Sequence, residues 1–232
     1  MSETILITGA NRGLGLALTQ LYAEAGARII ATCRSPENAL ELNRLAASTR
    51  GRVSSYPLDV TNARQIRALN AALADEAVDV LLHNAGVFGQ GDASFGNTDP
   101  EDWLQTMRVN TVAPLKLTEA LVERVAASNR RIVAAMSSKL GSMAADEDGG
   151  WYPYRSSKAA LNGTMKAVSA DLAPRGITTV MLHPGWVRTA MGGPNARITP
   201  EESARGLKSV LDDLGPSDNG RFLDYRGNPV PW

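Results

Sequence analysis

The chain has 232 residues, of which 44% are apolar and 21% charged, enough apolar material for one sizeable core. Its 24 lysines and arginines balance 24 aspartates and glutamates, so it lacks the basic excess that non-specific nucleic-acid or anionic-membrane binding requires. No apolar run approaches bilayer-spanning length, and Cys33, the only cysteine, has no partner for an internal disulfide.

Thr4 to Ile7 reads as a first strand, so close to Met1 that no room is expected for a cleavable signal peptide. With the lone cysteine, this sets the expectation of a reducing, cytoplasmic setting. The strand runs into Thr8-Gly9-Ala10-Asn11-Arg12-Gly13-Leu14-Gly15, and a helical pattern of Leu14, Ala17, Leu18, Leu21 and Ala25 follows. Strand, glycine turn and helix together aim backbone N–H groups and a helix's positive end at a phosphate. The spacing is G-x-x-x-G-x-G rather than G-x-G-x-x-G. Gly9 suits the tight turn, and Gly13 and Gly15 a close approach of backbone, cofactor and helix.

Arg28 to Thr32 reads as a second strand ending at Cys33-Arg34, and Pro36 opens a helix to about Ala47. Arg52 to Leu58 is a third strand, after which Ile66, Leu69 and Leu73 give Ala63 to Glu76 a helical period. Val78 to Leu82 is a fourth, running into His83-Asn84-Ala85-Gly86, and the glycine-rich segment from Phe88 to Asn97 is expected to be a mobile loop. Thr98-Asp99-Pro100-Glu101 has capping-box chemistry with Thr98 as the cap, and the helix after it runs to about Ala127 with a kink near Asn110 imposed by Pro114.

Arg131 to Met136 is a fifth strand, ending at Ser137-Ser138, and the acidic run Asp146-Glu147-Asp148 reads as a solvated loop face. A helix from about Tyr152 to Leu172 stops before Pro174, Ile177 to Leu182 is a sixth strand, Thr199 caps a last helix to about Leu214, and Arg221 to Asp224 is a short seventh strand. This alternation predicts an α/β fold: a three-layer, doubly wound parallel sheet of about seven strands, a Rossmann arrangement, in one domain over residues 1–232. Asp59, Asn84, Ser138 and the Pro184-Gly185 turn fall at carboxyl ends of predicted strands, the edge at which such sheets bind ligands.

The glycine turn, Asn84-Ala85-Gly86, Asn110, Ser138, Tyr154-x-x-x-Lys158, and Pro184-Gly185 with Thr189 occur in the order of the short-chain dehydrogenase/reductase family, which the chain resembles over essentially its whole length. Tyr154-Arg155-Ser156-Ser157-Lys158-Ala159-Ala160-Leu161-Asn162, His183-Pro184-Gly185-Trp186-Val187-Arg188-Thr189 and Pro231-Trp232 resemble more narrowly its C-factor/sniffer branch of carbonyl reductases. The resemblance implies an NADP(H)-dependent oxidoreductase that reduces a ketone or aldehyde to an alcohol, reversibly. It implies Tyr154 as general acid, Ser138 bonded to the substrate oxygen, Lys158 biasing Tyr154 and holding the nicotinamide ribose, and Asn110 holding a water that links Lys158 to solvent. Ser138 is chosen over Ser137 because the family's serine precedes a glycine by three places, as Ser138 precedes Gly141. The sixteen residues from Ser138 to Tyr154 are a few more than usual in the family, implying a lengthened substrate loop.

Tyr154 and Lys158 also argue for themselves. Residues four apart share a helix face, so the ammonium can sit under the phenol. Lowering a phenol by about 3 pH units from about 10 takes roughly 4 kcal/mol of preference for phenolate, which a neighbouring Lys⁺ and an oxidised nicotinamide supply together. Tyr152 competes for the role, but Ser156 rather than lysine stands four places on, which suits a pocket wall or helix cap.

Cofactor preference follows from charge. NAD-binding domains place an acidic residue at the end of the second strand. Here Ala31-Thr32-Cys33-Arg34 has no carboxylate to repel a 2′-phosphate, and Arg12 and Arg34 can pair with it, unless both are merely solvated. NADP(H) is therefore expected over NAD(H). Gly9, Asn11, Arg12, Gly13, Leu14 and Gly15 form the phosphate turn. By resemblance Asp59 meets the adenine amino group with Val60 beside it, where the alternative is a helix N-cap. Asn84, Ala85 and Gly86 support the sheet and the cofactor, and Pro184, Gly185, Val187 and Thr189 reach the nicotinamide end, where Thr189 is otherwise an ordinary cap.

The loops at about 139–151 and 186–198 supply the substrate candidates Leu140, Met143, Trp151, Trp186 and Met191. As pocket walls they suit an apolar or aromatic carbonyl compound, and each could equally be core. His83 and His183 have no second ligand at metal-like spacing, so no metal is expected, and Cys33 reads as an apolar filler beside the adenosine. The helices beginning near Pro100 and Tyr152 are rich in Leu and Ala. The corresponding family helices often pair between subunits, implying a homodimer or homotetramer. The rival reading is a dinucleotide-binding signalling or regulatory protein with little turnover, a role after which C-factor was named.

Overall fold

Three apolar residues in a row, Ile5-Leu6-Ile7, are fully buried in β1 (Thr4–Thr8) and explain the layers. Neighbours on a strand face opposite ways. Ile5 and Ile7 pack into one core with Leu18, Tyr22, Leu42 and Leu207, and Leu6 packs into the other with Ile66, Leu69, Leu117, Leu161 and Met165. A strand buried on both sides belongs in a parallel sheet covered by helices on both faces. The computed structural model describes residues 2–144 and 149–232. The acidic run Asp146-Glu147-Asp148 lies outside the described residues.

The remaining strands are β2 (Arg28–Cys33), β3 (Val53–Pro57), β4 (Val80–His83), β5 (Ile132–Met136), β6 (Thr178–His183) and β7 (Phe222–Asp224). They form one seven-stranded sheet in the order β3-β2-β1-β4-β5-β6-β7, every pairing parallel. Helices α1 (Gly13–Glu24), α2 (Leu40–Ser48) and α7 (Pro200–Asp213) cover one face, and α3 (Ala63–Ala72), α5 (Ala113–Ala126) and α6 (Tyr152–Leu172) the other. The helix α4 (Pro100–Met107) leads into α5 and packs on α6. The order reverses direction at β1 and β4, which opens a crevice at their carboxyl ends. Among the described residues no helix is long and apolar enough to cross a membrane.

Local chemistry shifts several expected boundaries. The helix expected from Pro36 is split into a 3₁₀ turn, Pro36–Asn38, and α2, because the Asn43 side chain takes the Pro36 carbonyl at 2.8 Å. α3 stops at Ala72, and the Arg124 guanidinium binds the Ala74 carbonyl beyond it. The cap of α4 is Asp99 rather than Thr98, its carboxylate accepting the N–H groups of Glu101 and Asp102. Asn62 rather than Asp59 caps α3, accepting from Arg64 at 3.0 Å and Gln65 at 3.2 Å. Between α4 and α5 the chain widens into a π-helical turn, Arg108–Val112, centred on Asn110. Pro114 has no N–H for the carbonyl four residues back and crowds it, which favours this local widening.

Candidate active site

The glycine turn is built by left-handed backbone and crowding. Gly9 and Gly13 have φ of +66° and +53°, values that cost a side-chain-bearing residue. A Cβ on Gly15 would lie 2.3 Å from the Gly9 carbonyl oxygen and 2.6 Å from Asn84 Nδ2. Asn84 donates from that nitrogen to the carbonyls of Thr8 at 2.9 Å and Gly9 at 3.2 Å. Thr8 Oγ1 in return accepts the N–H groups of Asn84 at 3.0 Å and Ala85 at 2.9 Å. α1 begins at Gly13 with Arg12 extended before it, no side-chain cap and no acidic residue in its first turn. Its N-terminal N–H groups and positive dipole end therefore suit an anion. Asn11 and Leu14, both half-buried, lie in the same turn.

Thr189 borders this cradle, since a Cβ on Gly13 would sit 3.2 Å from its methyl group. Its hydroxyl accepts the Gly192 N–H at 3.2 Å, the ordinary capping bond weighed from sequence. Val187 pairs with Ile198 and closes the base of the 186–198 segment. Gly185, after Pro184, has φ +82° and leaves no room beside Ile198 and Tyr225. At the other end Arg12 and Arg34 are exposed. Asp59 is held below the ordinary carboxylate range, chiefly by the Thr61 hydroxyl and amide at 2.7 and 2.9 Å, and less by the Arg34 charge. Val60 packs against the core beside it. A cradle that a single Cβ would fill, an uncapped helix start and two exposed arginines together fit a phosphorylated dinucleotide.

The candidate catalytic residues meet where β4, β5 and α6 converge. Ser137 and Ser138 follow β5, and each side chain meets a different turn of α6. Ser137 is buried and donates to Asn162 Oδ1 at 2.6 Å. Ser138 accepts from Leu140 N at 3.2 Å, and its hydroxyl stands near enough to the Tyr154 phenol to favour the ionised form. Gly141 lets this turn lie on α6, since a Cβ there would come within 2.6 Å of the Lys158 carbonyl carbon. One turn along α6 from Tyr154, Lys158 donates from Nζ to the Met136 carbonyl at 2.8 Å, and this nitrogen lies 5.7 Å from the centre of the Tyr154 ring. A Cβ on Gly86 would sit 3.2 Å from Asn110 Oδ1 and 3.6 Å from Lys158 Nζ, so β4 delivers its turn to the same place.

Asn110 is wholly buried. Its Oδ1 accepts Val87 N at 2.9 Å, and its Nδ2 donates to Val87 O at 2.8 Å and Ser157 Oγ at 2.9 Å. Its side chain thus pins the chain after β4 to α6. Burial pushes the Tyr154 phenol up to about 12, opposed by the nearby Ser138 hydroxyl, and pushes Lys158 down to about 8. The lowered phenol is expected from Lys158 and an oxidised nicotinamide together; in the protein alone, withdrawal from water outweighs the lowering effect of Ser138. Burial likewise pushes His83 down to about 3, with its Nε2 2.8 Å from Thr118 Oγ1, and His183 down to about 4, where its Nδ1 accepts Lys139 N at 3.2 Å. Among the described residues no group of three or more His, Cys, Asp or Glu could hold a metal ion.

Of the substrate candidates, Leu140 is half-buried, while Met143, Trp151, Trp186 and Met191 are exposed and so are not core. Tyr152 stacks on Trp103 at 6.4 Å. The segment expected to be mobile is tied down. Gln90 N donates to Asp102 at 2.7 Å, Trp151 N to Ala93 O at 2.8 Å and Trp151 Nε1 to Gly91 O at 3.1 Å. The residue that sequence reasoning missed is Phe88, whose ring stacks on Tyr154 with centroids 4.6 Å apart. Its only local signal is its position two residues past Gly86.

Residues 3–198 match the sequence model of the short chain dehydrogenase family. The C-signal protein of Myxococcus xanthus is 46% identical over 167 residues, which span 72% of this chain and 100% of that protein. The fold is similar to that of carbonyl reductase Sniffer of D. melanogaster, with a TM-score of 0.93 and 35% identity over 100% of both chains. An NADPH-bound carbonyl reductase from chicken fatty liver gives a TM-score of 0.92 and 32% identity, covering 100% of this chain and 99% of that one.

Proposed function

The chain belongs to the short-chain dehydrogenase family of oxidoreductases, and from that premise we propose that it reduces a ketone or aldehyde to an alcohol with NADPH, reversibly. The observation that carries the proposal is the placing of the Lys158 ammonium 5.7 Å from the Tyr154 ring and bonded to the end of β5, where the Ser138 hydroxyl stands near the phenol, beside an uncapped helix start. NADPH, when bound, supplies the hydride. The phosphate turn from Gly9 to Gly15 holds its pyrophosphate, Arg12 and Arg34 its 2′-phosphate, Asp59 its adenine, and Asn84, Lys158 and Thr189 the nicotinamide half. Arginine's planar fork matches a phosphate, and no carboxylate ends β2, so NADP(H) is preferred over NAD(H).

Tyr154 Oη delivers the proton to the carbonyl oxygen, and Ser138 Oγ donates to that oxygen as alkoxide character grows. Lys158, protonated, offsets the negative charge left on the phenol, and Asn110 keeps the turn after β4 in register with α6. Trp151, Trp186, Met143 and Met191, exposed on the two proposed substrate loops, suit an apolar or aromatic carbonyl compound. A second reading, favoured by the name of the C-signal relative, is a dinucleotide-binding signalling protein with little turnover.

NADPH oxidation against a panel of carbonyl compounds, in the wild type and Tyr154→Phe, separates the two. A loss on the order of 10³-fold in kcat with NADPH affinity retained is expected for the reductase. Tight NADPH binding without turnover of any carbonyl supports the second reading, and full activity in Tyr154→Phe removes the tyrosine from the mechanism.

A further inference from the structure

We propose that Phe88 is a positioning residue for Tyr154: its ring, stacked on the phenol, fixes the phenol's plane and keeps water from it. The two rings lie 4.6 Å apart at 25°, a stacked pair, and Trp151 meets Phe88 edge-on at 6.0 Å and 70°. The torsion that turns a tyrosine ring is broad and two-fold, so the direction of the O–H is set by whatever packs on the ring. Phe88 is itself held at both ends. Before it, the N–H and carbonyl of Val87 are both bound by Asn110. After it, Gly89 at φ +72° lies so close to Thr106 that a Cβ would come within 2.3 Å of the hydroxyl. The Trp151 backbone, at φ +49°, and its indole N–H both bond to the same loop, at Ala93 and Gly91. A residue so restrained is a fixed wall.

Charged and titratable groups also stand on the elements packed against α6. Lys158 lies on the same helix as Tyr154, 5.7 Å from its ring, with Arg155 beside that tyrosine in sequence. The Asp102 carboxylate of α4 is taken up by Gln90 N, and His183, at the end of β6, accepts Lys139 N beyond Ser138. The turn after β5 brings Ser138, whose hydroxyl favours phenolate, and burial, which opposes it, is the larger effect. Phe88 supplies an aromatic part of that burial. Removing its ring admits water and moves the phenol back toward the ordinary value of about 10.

The proposal rests on the reading of Tyr154 as proton donor, and its test includes an arm that needs no turnover. The ultraviolet absorbance of tyrosinate is titrated from about pH 7 to about pH 11 in wild type, Phe88→Ala, Phe88→Leu and Phe88→Tyr, each against the same protein with Tyr154→Phe. In parallel, kcat and KM are measured for carbonyl reduction. Phe88→Ala is expected to bring the onset of Tyr154 ionisation down by about one pH unit and to lower kcat about tenfold with KM little changed. Phe88→Tyr restores both, and Phe88→Leu, which keeps volume but no flat face, reads the same direction should the alanine variant fail to fold. An unmoved onset in both smaller variants overturns the proposal, as does a loss confined to KM, which would make Phe88 a substrate wall only. If the wild type reduces no carbonyl, the proposed function falls while the absorbance arm still decides what Phe88 does to Tyr154.

Discussion

The ammonium of Lys158 donates a hydrogen bond to the backbone carbonyl of Met136 at 2.8 Å. The helix that carries Tyr154 is thereby fastened to the strand that delivers Ser138. It also holds a cation where water is scarce, and burial brings that lysine from 10.5 to about 8.

Stability is expected to depend on pH accordingly. Between about pH 8 and the unfolded lysine value near 10.5, the unfolded chain binds the proton that the folded chain has released, so this group makes stability rise with pH. Tyr154, raised to about 12, acts oppositely only above about pH 10. Denaturant unfolding of Lys158→Met from pH 7.5 to 10 should therefore lack the wild-type rise, worth up to about 3 kcal/mol. An identical slope in both proteins would place the ammonium in water.

Ser137 and Ser138 should separate stability from chemistry. Ser138→Ala removes the partner of Tyr154 and is expected to lower kcat about 10²-fold or more, with unfolding little changed. Ser137→Ala leaves Asn162 Oδ1 without its buried donor, costing about 1–3 kcal/mol while kcat in the folded protein stays near wild type. Kinetics and chemical denaturation of the two variants side by side check this, and exchanged phenotypes would mean that the wrong serine had been chosen.

Replacing Arg12 and Arg34 by glutamine should raise the KM for NADPH by about tenfold or more and leave that for NADH within a few-fold, because only the former carries the extra phosphate. Arg34→Gln should also let the Asp59 carboxyl rise, since the guanidinium helps hold it down. Equal losses for both cofactors would remove the arginines from 2′-phosphate recognition.

Two glycine-to-alanine changes should have opposite signs. At Gly15 the new methyl group meets the Gly9 carbonyl at 2.3 Å, so the turn must shift, at a cost of about 1–3 kcal/mol and of cofactor affinity. At Gly163, exposed within α6, nothing lies within 4 Å, and Gly163→Ala should stabilise by about 0.5–1 kcal/mol. Thermal unfolding with and without NADPH reads both.

The sheet was legible because most of its strands, β1, β4 and β5 above all, are short apolar runs that end in glycine or polar turns. The reactive edge was legible because Asn84, Ser138 and Pro184-Gly185 stand where those runs end. Tyr154 and Lys158 were readable as a pair because one helical turn relates them. What could not be read depends on contacts between distant segments or on competition between neighbours. Phe88 meets Tyr154 only once the turn after β4 packs on α6. Asp59 and Asn62 are equally good caps on paper, and the Thr61 hydroxyl and amide claim the former. Pro114 announced a break near Asn110, though its π-helical form depends on how α4 and α5 dock. The raised phenol of Tyr154 is a property of burial, which no local pattern records.

The place of β1 inside the sheet, between β2 and β4, governs the order in which the molecule can be completed during synthesis. Its pairing with β2 is available early, but Asn84, which bonds to Thr8 across 76 positions of chain, emerges from the ribosome much later. A nascent chain that stops before Val80 carries the glycine turn without the strand and amide that hold it, and leaves one side of β1 as an open edge. Nucleotide therefore has little to grip until about a third of the polypeptide has been made, and any stabilisation that it lends to folding arrives only after that long closure has been achieved.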